Sequence, residues 1–481
     1  MERKIYPLWL ILFMMTSIPT FSAKNIDPAP GQARPMEGSL QQKTPDEQGT
    51  VPAVTFDIKE HSLDNGMKVL MLEDHSAPMV TFQIHYMAGS RNEKPGITGI
   101  SHLFEHMMFK GSKNIGPEEH ARIVQSNGGS LNAFTTTDNT SYFQVLPADK
   151  LEIAMKLEAE RMENLTITEE KLTSEREVVR NERKMRTVNT PYGLAEEVLM
   201  STMFDRHPYQ WPVIGWDSDL KAISVDDCIE YFRKYYAPDN ATAVIVGDFK
   251  TDEALELMRK YFGHLKPQGG SKPVPTYEAP QRGEKRVIFK KFAQASALFA
   301  GFHIPSLNHP DTPALQVISA ILTKGESSRF YQKFIKTGKA GTISTNVGIF
   351  FPTKDPSLFS VSAIANPGVN IDEIEKGIWE ELDKLKTEGL APEELEKAKR
   401  QNEASFIFGL QSLLWRGVNI GILQLRGNDF RRINTYAEEI RKLTSEDIKR
   451  TVAKYFGEDN RTVVTVIPVS IQESERYGRL E

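Results

Sequence analysis

The chain repeats one stretch of its sequence, and this repeat constrains the fold more than any other feature. The first copy, ISVDDCIEYFRKYYAPDNATAVIVGD, starts at Ile223, and the second, LTSEDIKRTVAKYFGEDNRTVVTVIPV, starts at Leu443. Matching residues lie 220 positions apart, as Asn240 and Asn460 do. Two such blocks at one spacing in a chain of 481 residues indicate a duplicated domain.

The two copies are separated by a segment rich in proline and glycine, KPQGGSKPVPTYEAPQRGEK at 266–285. This composition predicts an interdomain linker between a first half, 53–265, and a homologous second half, 286–481. Apolar runs such as KVLMLED and TAVIVGD predict strands, and long amphipathic charged runs predict helices. Because strands and helices do not alternate strictly, we predict α+β halves, each a largely antiparallel sheet packed with helices.

The N-terminus has the pattern of an exported protein. Residues 1–23 combine a positively charged start, an apolar stretch and small residues before Lys24, which predicts a secretory signal peptide. An uncleaved membrane anchor is the alternative, although the apolar stretch is shorter than the ~20 residues of a bilayer span. Residues 24–52, rich in Pro, Gln, Gly and Asp, predict a flexible leader. We therefore expect a periplasmic or secreted protein.

Composition argues against a nucleic-acid partner and against stabilisation by an internal disulfide bond. The net charge is −5, the pI is near 6.1 and no long block of lysine and arginine occurs, so we expect no nucleic-acid partner. With 40% hydrophobic and 26% charged residues, the chain has the composition of an ordinary globular protein. Its single cysteine, Cys228, can form no internal disulfide, so stability must come from the core.

The first half contains a helical stretch with three titratable groups. GISHLFEHMMFKG, at 99–111, places His102, Glu105 and His106 in an otherwise apolar run. The histidines are four residues apart and project from one helix face, where two imidazoles can hold one metal ion. Zn²⁺ accepts imidazole nitrogen and a carboxylate as a third ligand, and Glu105 can take a proton from water beside it. This is the inverted H-x-x-E-H order of zinc proteases, although a chance match also produces it.

A third ligand is expected on another element, and the helical stretch TITEEKLTSEREVVRNERKMR at 167–187 is the candidate. Glu175 and Glu182 are two turns apart on its apolar face, where an unpaired carboxylate is costly. We interpret Glu182 as the metal ligand and Glu175 as a carboxylate that supports the ligands. From spacing alone, a solvated charged helix explains these glutamates equally well.

These residues together resemble the pitrilysin/insulinase family of zinc metallopeptidases, the inverzincins. The family has H-x-x-E-H, a glutamate ligand after a spacer like the 75 residues between His106 and Glu182, and a further glutamate seven residues earlier, here Glu175. The flanking segments AGSRNEKPGITGISHLFEHMMFKGS and GGSLNAFTTTDNTSYF are also similar to the family. The resemblance extends from about residue 54 to about residue 470 and is greatest to the shorter, processing-peptidase-like branch.

The resemblance implies a zinc metalloendopeptidase with one Zn²⁺ per chain, in which Glu105 is the general base for the attacking water. The expected metal ligands are His102, His106 and Glu182. The stretch SLNAFTTT would be an edge strand to which an extended substrate adds, with Asn132 and Ala133 in contact with it. An ordinary edge strand is the alternative interpretation.

We therefore expect a hydrolase that cleaves small unfolded peptides outside the cytoplasm. A non-catalytic structural or binding subunit of a peptidase-like complex is the alternative from another class. The intact set of four zinc-site residues argues against that alternative, and the signal peptide argues against a processing peptidase of an organellar matrix.

The second half lacks histidines in the stretch TPALQVISAILTKG, which corresponds to the zinc helix. Glu396 and Glu403 repeat Glu175 and Glu182, but without histidines they are expected to form no site. Active relatives carry an arginine and, seven residues later, a tyrosine in this half. Alignment places Ile335 and Thr342 at these positions.

We therefore predict a dimer, and the simplest form is a heterodimer in which a homologous partner chain supplies the missing arginine and tyrosine. A homodimer is the alternative, in which Lys336, Lys339 or Arg329 substitutes for the pair.

Overall fold

The structure is a computed structural model that describes residues 55–477. It contains two β-sheets, one in each half of the chain, and helices cover both. The first sheet consists of β1 (Lys59–Ser62), β2 (Lys68–Glu73), β3 (Met79–Tyr86), β4 (Ser130–Thr135), β5 (Thr140–Pro147) and β6 (Ala241–Gly247). The second consists of β7 (Lys285–Phe292), β8 (Ala297–Ile304), β9 (Ala340–Val347), β10 (Ser357–Ala365) and β11 (Arg461–Val469).

The helices follow the same division. Those of the first half are α1 (Ile100–Met107), α2 (Glu119–Ser126), α3 (Leu151–Asn164), α4 (Glu169–Arg183), α5 (Gly193–Met203), α6 (Asp217–Ala222), α7 (Val225–Tyr235) and α8 (Thr251–Phe262). Those of the second half are α9 (Thr312–Thr323), α10 (Ile371–Thr387), α11 (Pro392–Gly409), α12 (Leu413–Gly427), α13 (Arg432–Arg441), α14 (Ser445–Tyr455) and α15 (Ile471–Tyr477). Single π-helical turns lie at Lys184–Val188 and Tyr331–Ile335.

The two sheets have the same topology, which confirms the prediction of homologous α+β halves. The strand order is β2-β6-β3-β5-β4 in the first sheet, with β1 added at its edge, and β7-β11-β8-β10-β9 in the second. In each sheet one pair is parallel, β2 with β6 and β7 with β11, and every other pair is antiparallel. The strands β4 and β9 are therefore equivalent edges.

The repeated sequence blocks form the same structure twice. In α7 and α14 a capping box fixes the first turn, through Ser224 with Asp227 and Thr444 with Asp447. The strand that follows each helix enters the interior of its sheet, and consecutive residues, 241–247 in β6 and 462–466 in β11, are buried. The duplication thus accounts for how each half closes its sheet with its last long strand.

Two helices cross from one half to the other. The first-half helix α5 packs on β8 and β11, and its Leu199 and Met203 join Phe299 and Val464 in one apolar cluster. Conversely, the second-half helix α12 packs on β3 and β6 of the first sheet. Each sheet therefore has its own helices on one face and a helix from the other half on the opposite face, so the two halves share buried apolar surface.

The predicted domain boundaries stay predictions, since the structure does not test them independently. The predicted signal peptide and leader lie outside the described residues. The predicted linker contains no helix or strand before β7 begins at Lys285.

Within residues 55–477, no single helix is both long and apolar enough to cross a membrane. The pair α11 and α12 meets that criterion together, by length and composition only, and is bent by 110° at the junction.

Candidate metal centre

Helix α1 presents its two histidines on one side and its apolar residues on the other. Ile100, Leu103 and Phe104 are fully buried in the first core. The N-terminus of the helix is held by Glu93, whose two side-chain oxygens accept hydrogen bonds from the backbone N–H groups of Gly99 (2.8 Å) and Ser101 (2.9 Å). The apolar run therefore anchors the helix, and its remaining face is free for the titratable groups.

Helix α4 brings the two predicted glutamates to the same place. Oε1 of Glu182 lies 3.7 Å from Nε2 of His102, and Oε2 of Glu182 lies 3.4 Å from Nε2 of His106. On the other side of the His106 ring, Nδ1 lies 3.4 Å from Oε2 of Glu175, whose Oε1 accepts a hydrogen bond of 2.9 Å from Lys110. The structure thus brings together all the predicted ligand residues, and it adds Lys110, which the sequence motifs did not indicate.

The donor set fits a zinc ion. One ligand atom from each of His102, His106 and Glu182 lies within 4.8 Å of the other two. Two imidazole nitrogens and one carboxylate oxygen are a set that catalytic Zn²⁺ sites use, at metal–ligand distances of about 2.0–2.2 Å. Glu175 fixes the ring of His106 from behind, as a carboxylate commonly does for a metal-bound histidine. His102 and His106, together with Glu182, would hold the ion.

The charged side chains of the cluster balance one another. Burial opposes the charged form of His106, but hydrogen bonds to Glu175 and Glu182 outweigh it and raise the pKa of this imidazole to about 9. Burial would raise the pKa of Glu182, but His106, His102 and Arg186 lower it to about 2. Burial lowers the pKa of His102. A protonated His106 therefore offsets the negative charge of Glu175 and Glu182.

Glu105 points to the strand next to α1 rather than into the ligand cluster. Its Oε2 accepts a hydrogen bond of 2.6 Å from Oγ1 of Thr135, the last residue of β4. Glu105 is placed beside the predicted ligands and has its orientation fixed by a hydroxyl group. Sequence reasoning missed Thr135, although it lies in the SLNAFTTT stretch singled out for substrate binding.

The predicted substrate strand β4 is an edge strand, paired with β5 alone. The backbone N–H of Ala133 donates a hydrogen bond of 2.8 Å to Oδ1 of its own neighbour Asn132. An extended peptide carbonyl could accept from the same N–H if Asn132 turned away. The roles of Asn132 and Ala133 stay predictions.

The second half shows no comparable cluster within the described residues. Glu403 forms an ion pair with Arg441, and Glu396 forms one with Lys399, so both echoed glutamates are neutralised by basic side chains.

The two positions aligned with the arginine and tyrosine also carry no charged or phenolic side chain. Ile335 packs on the second core, and Thr342 is exposed on β9. Of the three predicted substitutes, Arg329 is already engaged with Glu394, at 2.8 Å, while Lys336 and Lys339 are exposed.

Known proteins are similar to this chain in sequence and in fold. The chain is 31% identical over 415 residues to "Zinc protease PqqE" of Helicobacter pylori, a match that covers 85% of this chain and 92% of that protein. A family model described as "Insulinase (Peptidase family M16)" matches residues 68–216, and one described as "Peptidase M16 inactive domain" matches residues 222–402. The chain belongs to the M16 (insulinase) family of peptidases. The family assignment made from the zinc motifs is thereby confirmed.

Other similar proteins support the assignment of this chain to the M16 family. It is 25% identical over 403 residues to "Uncharacterized zinc protease YmxG" of Bacillus subtilis, covering 84% of this chain and 96% of that protein. The crystal structure of a protease from Helicobacter pylori superposes with a TM-score of 0.82 at 30% identity, covering 86% of this chain and all of that one. The metal cluster lies entirely within the part of the chain that the insulinase model matches.

Proposed function

We propose that this M16 chain is a zinc-dependent endopeptidase that hydrolyses unfolded peptides outside the cytoplasm. The observation that carries the proposal is the convergence of two helices and one edge strand on a single point. Helix α1 supplies His102 and His106, helix α4 supplies Glu182, and β4 supplies the hydroxyl that orients Glu105. No other described part of the chain offers such a set of metal ligands.

The division of roles follows from these positions. When bound, Zn²⁺ would acidify water and polarise a peptide carbonyl. Glu105, which is not among the three ligand residues, can accept the proton of the attacking water and return it to the leaving amine. The hydrogen bond from Thr135 holds Glu105 toward β4, so a peptide lying along β4 would pass beside it. Glu175 and Lys110 keep the His106 ring in its ligand orientation.

The substrate class follows from the edge strand. A peptide that pairs with β4 must be extended, and pairing through backbone groups tolerates many sequences. We therefore expect cleavage of unstructured peptides and little cleavage of stable folded proteins. Location outside the cytoplasm is supported by the signal-peptide pattern of residues 1–23.

We also propose that activity requires a homologous partner chain. The positions of Ile335 and Thr342 offer no cationic or phenolic donor for the oxyanion, and losing one such donor typically costs ~10²–10³-fold in turnover. A zinc-less relative that carries the arginine and tyrosine would supply both.

The test compares the zinc-loaded wild type with Glu105→Gln on a quenched fluorescent peptide, each with and without the candidate partner. We expect Glu105→Gln to keep about one Zn²⁺ per chain, because it removes no ligand, and to lose ~10²–10⁴-fold in turnover. Full zinc occupancy with no hydrolysis by the wild type, even with the partner, would instead favour a non-catalytic binding subunit. Full activity without the partner would refute the heterodimer.

A further inference from the structure

We propose that Arg426, in the second half, is a positioning residue for the proton acceptor of the first half. It would act by clamping the turn that joins β4 to β5, and so by fixing Thr135 and, through it, Glu105. The inference rests on the proposed peptidase function and deepens it. It gives the second half, which has no described metal cluster, a direct part in arranging the site.

The turn between β4 and β5 is unusual because it is buried. Turns generally lie on the surface, where water satisfies their backbone groups. Here Thr136, Thr137, Asp138 and Asn139 are each no more than 2% exposed. Their polar groups must therefore find partners within the protein, and the geometry of the turn depends on those partners.

Arg426 supplies several of these partners from across the boundary between the halves. Its guanidinium donates to Oγ1 of Thr136 (2.9 Å) and to Oδ1 of Asn139 (2.8 and 3.2 Å). It donates further to the backbone carbonyl of Pro352 (3.0 Å) and lies 3.5 Å from Oδ2 of Asp138. The side chain is fully buried. One planar group thus ties both ends of the turn to the second half, and the shorter, single-point ammonium of lysine cannot reproduce this.

The helix that carries Arg426 is held close to the first sheet. On α12, a Cβ at Gly417 would lie 2.4 Å from the Gln83 side chain, and one at Gly421 would lie 2.4 Å from His85. Because both positions are glycine, the helix backbone can approach these two polar side chains of β3. Nε2 of Gln83 donates to the carbonyl of Leu414, at 2.9 Å. The position of Arg426 above the turn is therefore defined by α12 as a rigid element.

From the turn to the site the connection is short. Thr135 ends β4 and is followed directly by Thr136, whose backbone N–H donates to the carbonyl of Asn139 at 2.8 Å. Thr135 in turn donates to Glu105. If the turn loosens, the hydroxyl that orients Glu105 moves with it, while the metal ligands on α1 and α4 keep their own supports. The proposal therefore separates proton transfer from metal binding.

The test uses the full zinc-loaded chain, with its partner if activity needs one. Arg426→Met keeps the apolar stem and removes the guanidinium. Arg426→Lys is the second variant in case the first does not fold. Arg432→Met is the matched control, because Arg432 is also in the second half and also pairs with a carboxylate, Glu439, but does not contact the turn.

We expect Arg426→Met to keep one Zn²⁺ per chain and to lose up to ~10²-fold in kcat, with a smaller change in KM, as a displaced catalytic group would. Arg432→Met should keep the wild-type kcat. Adding Arg426→Met to Thr135→Val should cost less than it costs alone, since both changes act on Glu105. Loss of zinc, an unchanged kcat, or equal losses in both backgrounds would overturn the proposal.

A second readout does not depend on turnover. Hydrogen exchange measured by mass spectrometry should show faster exchange in peptides covering 130–140 for Arg426→Met and Arg426→Lys, but not for Arg432→Met. If the wild type hydrolyses no peptide, the proposed function fails, and the exchange data alone decide whether Arg426 holds the turn. Unchanged exchange in both Arg426 variants would overturn the proposal.

Discussion

Replacing Thr135 by valine tests whether the orientation of Glu105 is set by a hydroxyl group. The substitution removes the donor that lies 2.6 Å from Oε2 of Glu105 and keeps a β-branched side chain in the strand. A hydrogen bond to a charged group contributes about 1.5–3 kcal/mol. If all of it is lost in the transition state, kcat/KM falls by roughly 10- to 150-fold.

The assay measures kcat/KM on a quenched fluorescent peptide, together with the zinc content of each protein. Thr137→Val is the matched control, because Thr137 is also buried, lies two residues further on, and has a hydroxyl with no hydrogen-bond partner in the described structure. We expect full zinc occupancy in both variants and a loss of activity only in Thr135→Val. Activity within twofold of the wild type in Thr135→Val would refute the role given to this hydrogen bond.

Three further predictions concern the proposed metal ligands and Glu93 at the N-terminus of α1. Glu182→Gln should lose zinc measured by atomic emission, and retention of a full equivalent would show that Glu182 is not a ligand. Because hydrogen bonds to Glu175 and Glu182 raise the pKa of His106 to about 9, zinc binding at pH 7 should release about one proton, and the affinity for zinc should fall as pH falls. Calorimetry in buffers of different ionisation enthalpy measures the proton release, and a signal independent of the buffer would contradict it. Burial raises the pKa of Glu93 to about 8, so the folded state favours the protonated form. The wild type should therefore lose stability relative to Glu93→Gln as pH rises from 5 to 8. Urea unfolding at both pH values measures this change in the free energy of unfolding, and a relative gain in stability would mean that the hydrogen bonds from the two backbone N–H groups outweigh burial.

The residues of the candidate metal centre could be singled out from the sequence because regular spacing along a helix places side chains on one face. The interval from His102 to His106 is one helical turn, and the interval from Glu175 to Glu182 is two. Such intervals fix which side chains share a face, whatever the rest of the chain does. Joining the two helices at one point needed the family resemblance, since spacing within α4 equally fits a solvated helix.

Thr135, Lys110 and Arg426 could not be predicted in the same way. Each acts on a residue that is near in space but belongs to another element, and threonine, lysine and arginine at these positions have no distinctive local pattern. The exchange of α5 and α12 between the halves was also absent from the sequence-based division, because amphipathic periodicity shows that a helix face is buried and not which sheet covers it. The two glycines Gly417 and Gly421, four residues apart on one face of α12, are the sequence feature that could have indicated its close approach to β3, and the sequence analysis did not use it.

The two halves show which parts of the duplicated unit serve the fold and which serve the site. Asn240 donates to the carbonyl of Tyr235 (2.8 Å), and Asn460 makes the matching bond to Tyr455 (2.7 Å), so this repeated pair does the same structural work twice. Glu403 keeps its position but faces Arg441, whereas Glu182 faces two histidines. A carboxylate at this point of the unit therefore needs a positive partner in either half. In the second half the positive partner is an arginine, which is always charged. In the first half the histidines can supply the positive charge by binding either a proton or a metal ion.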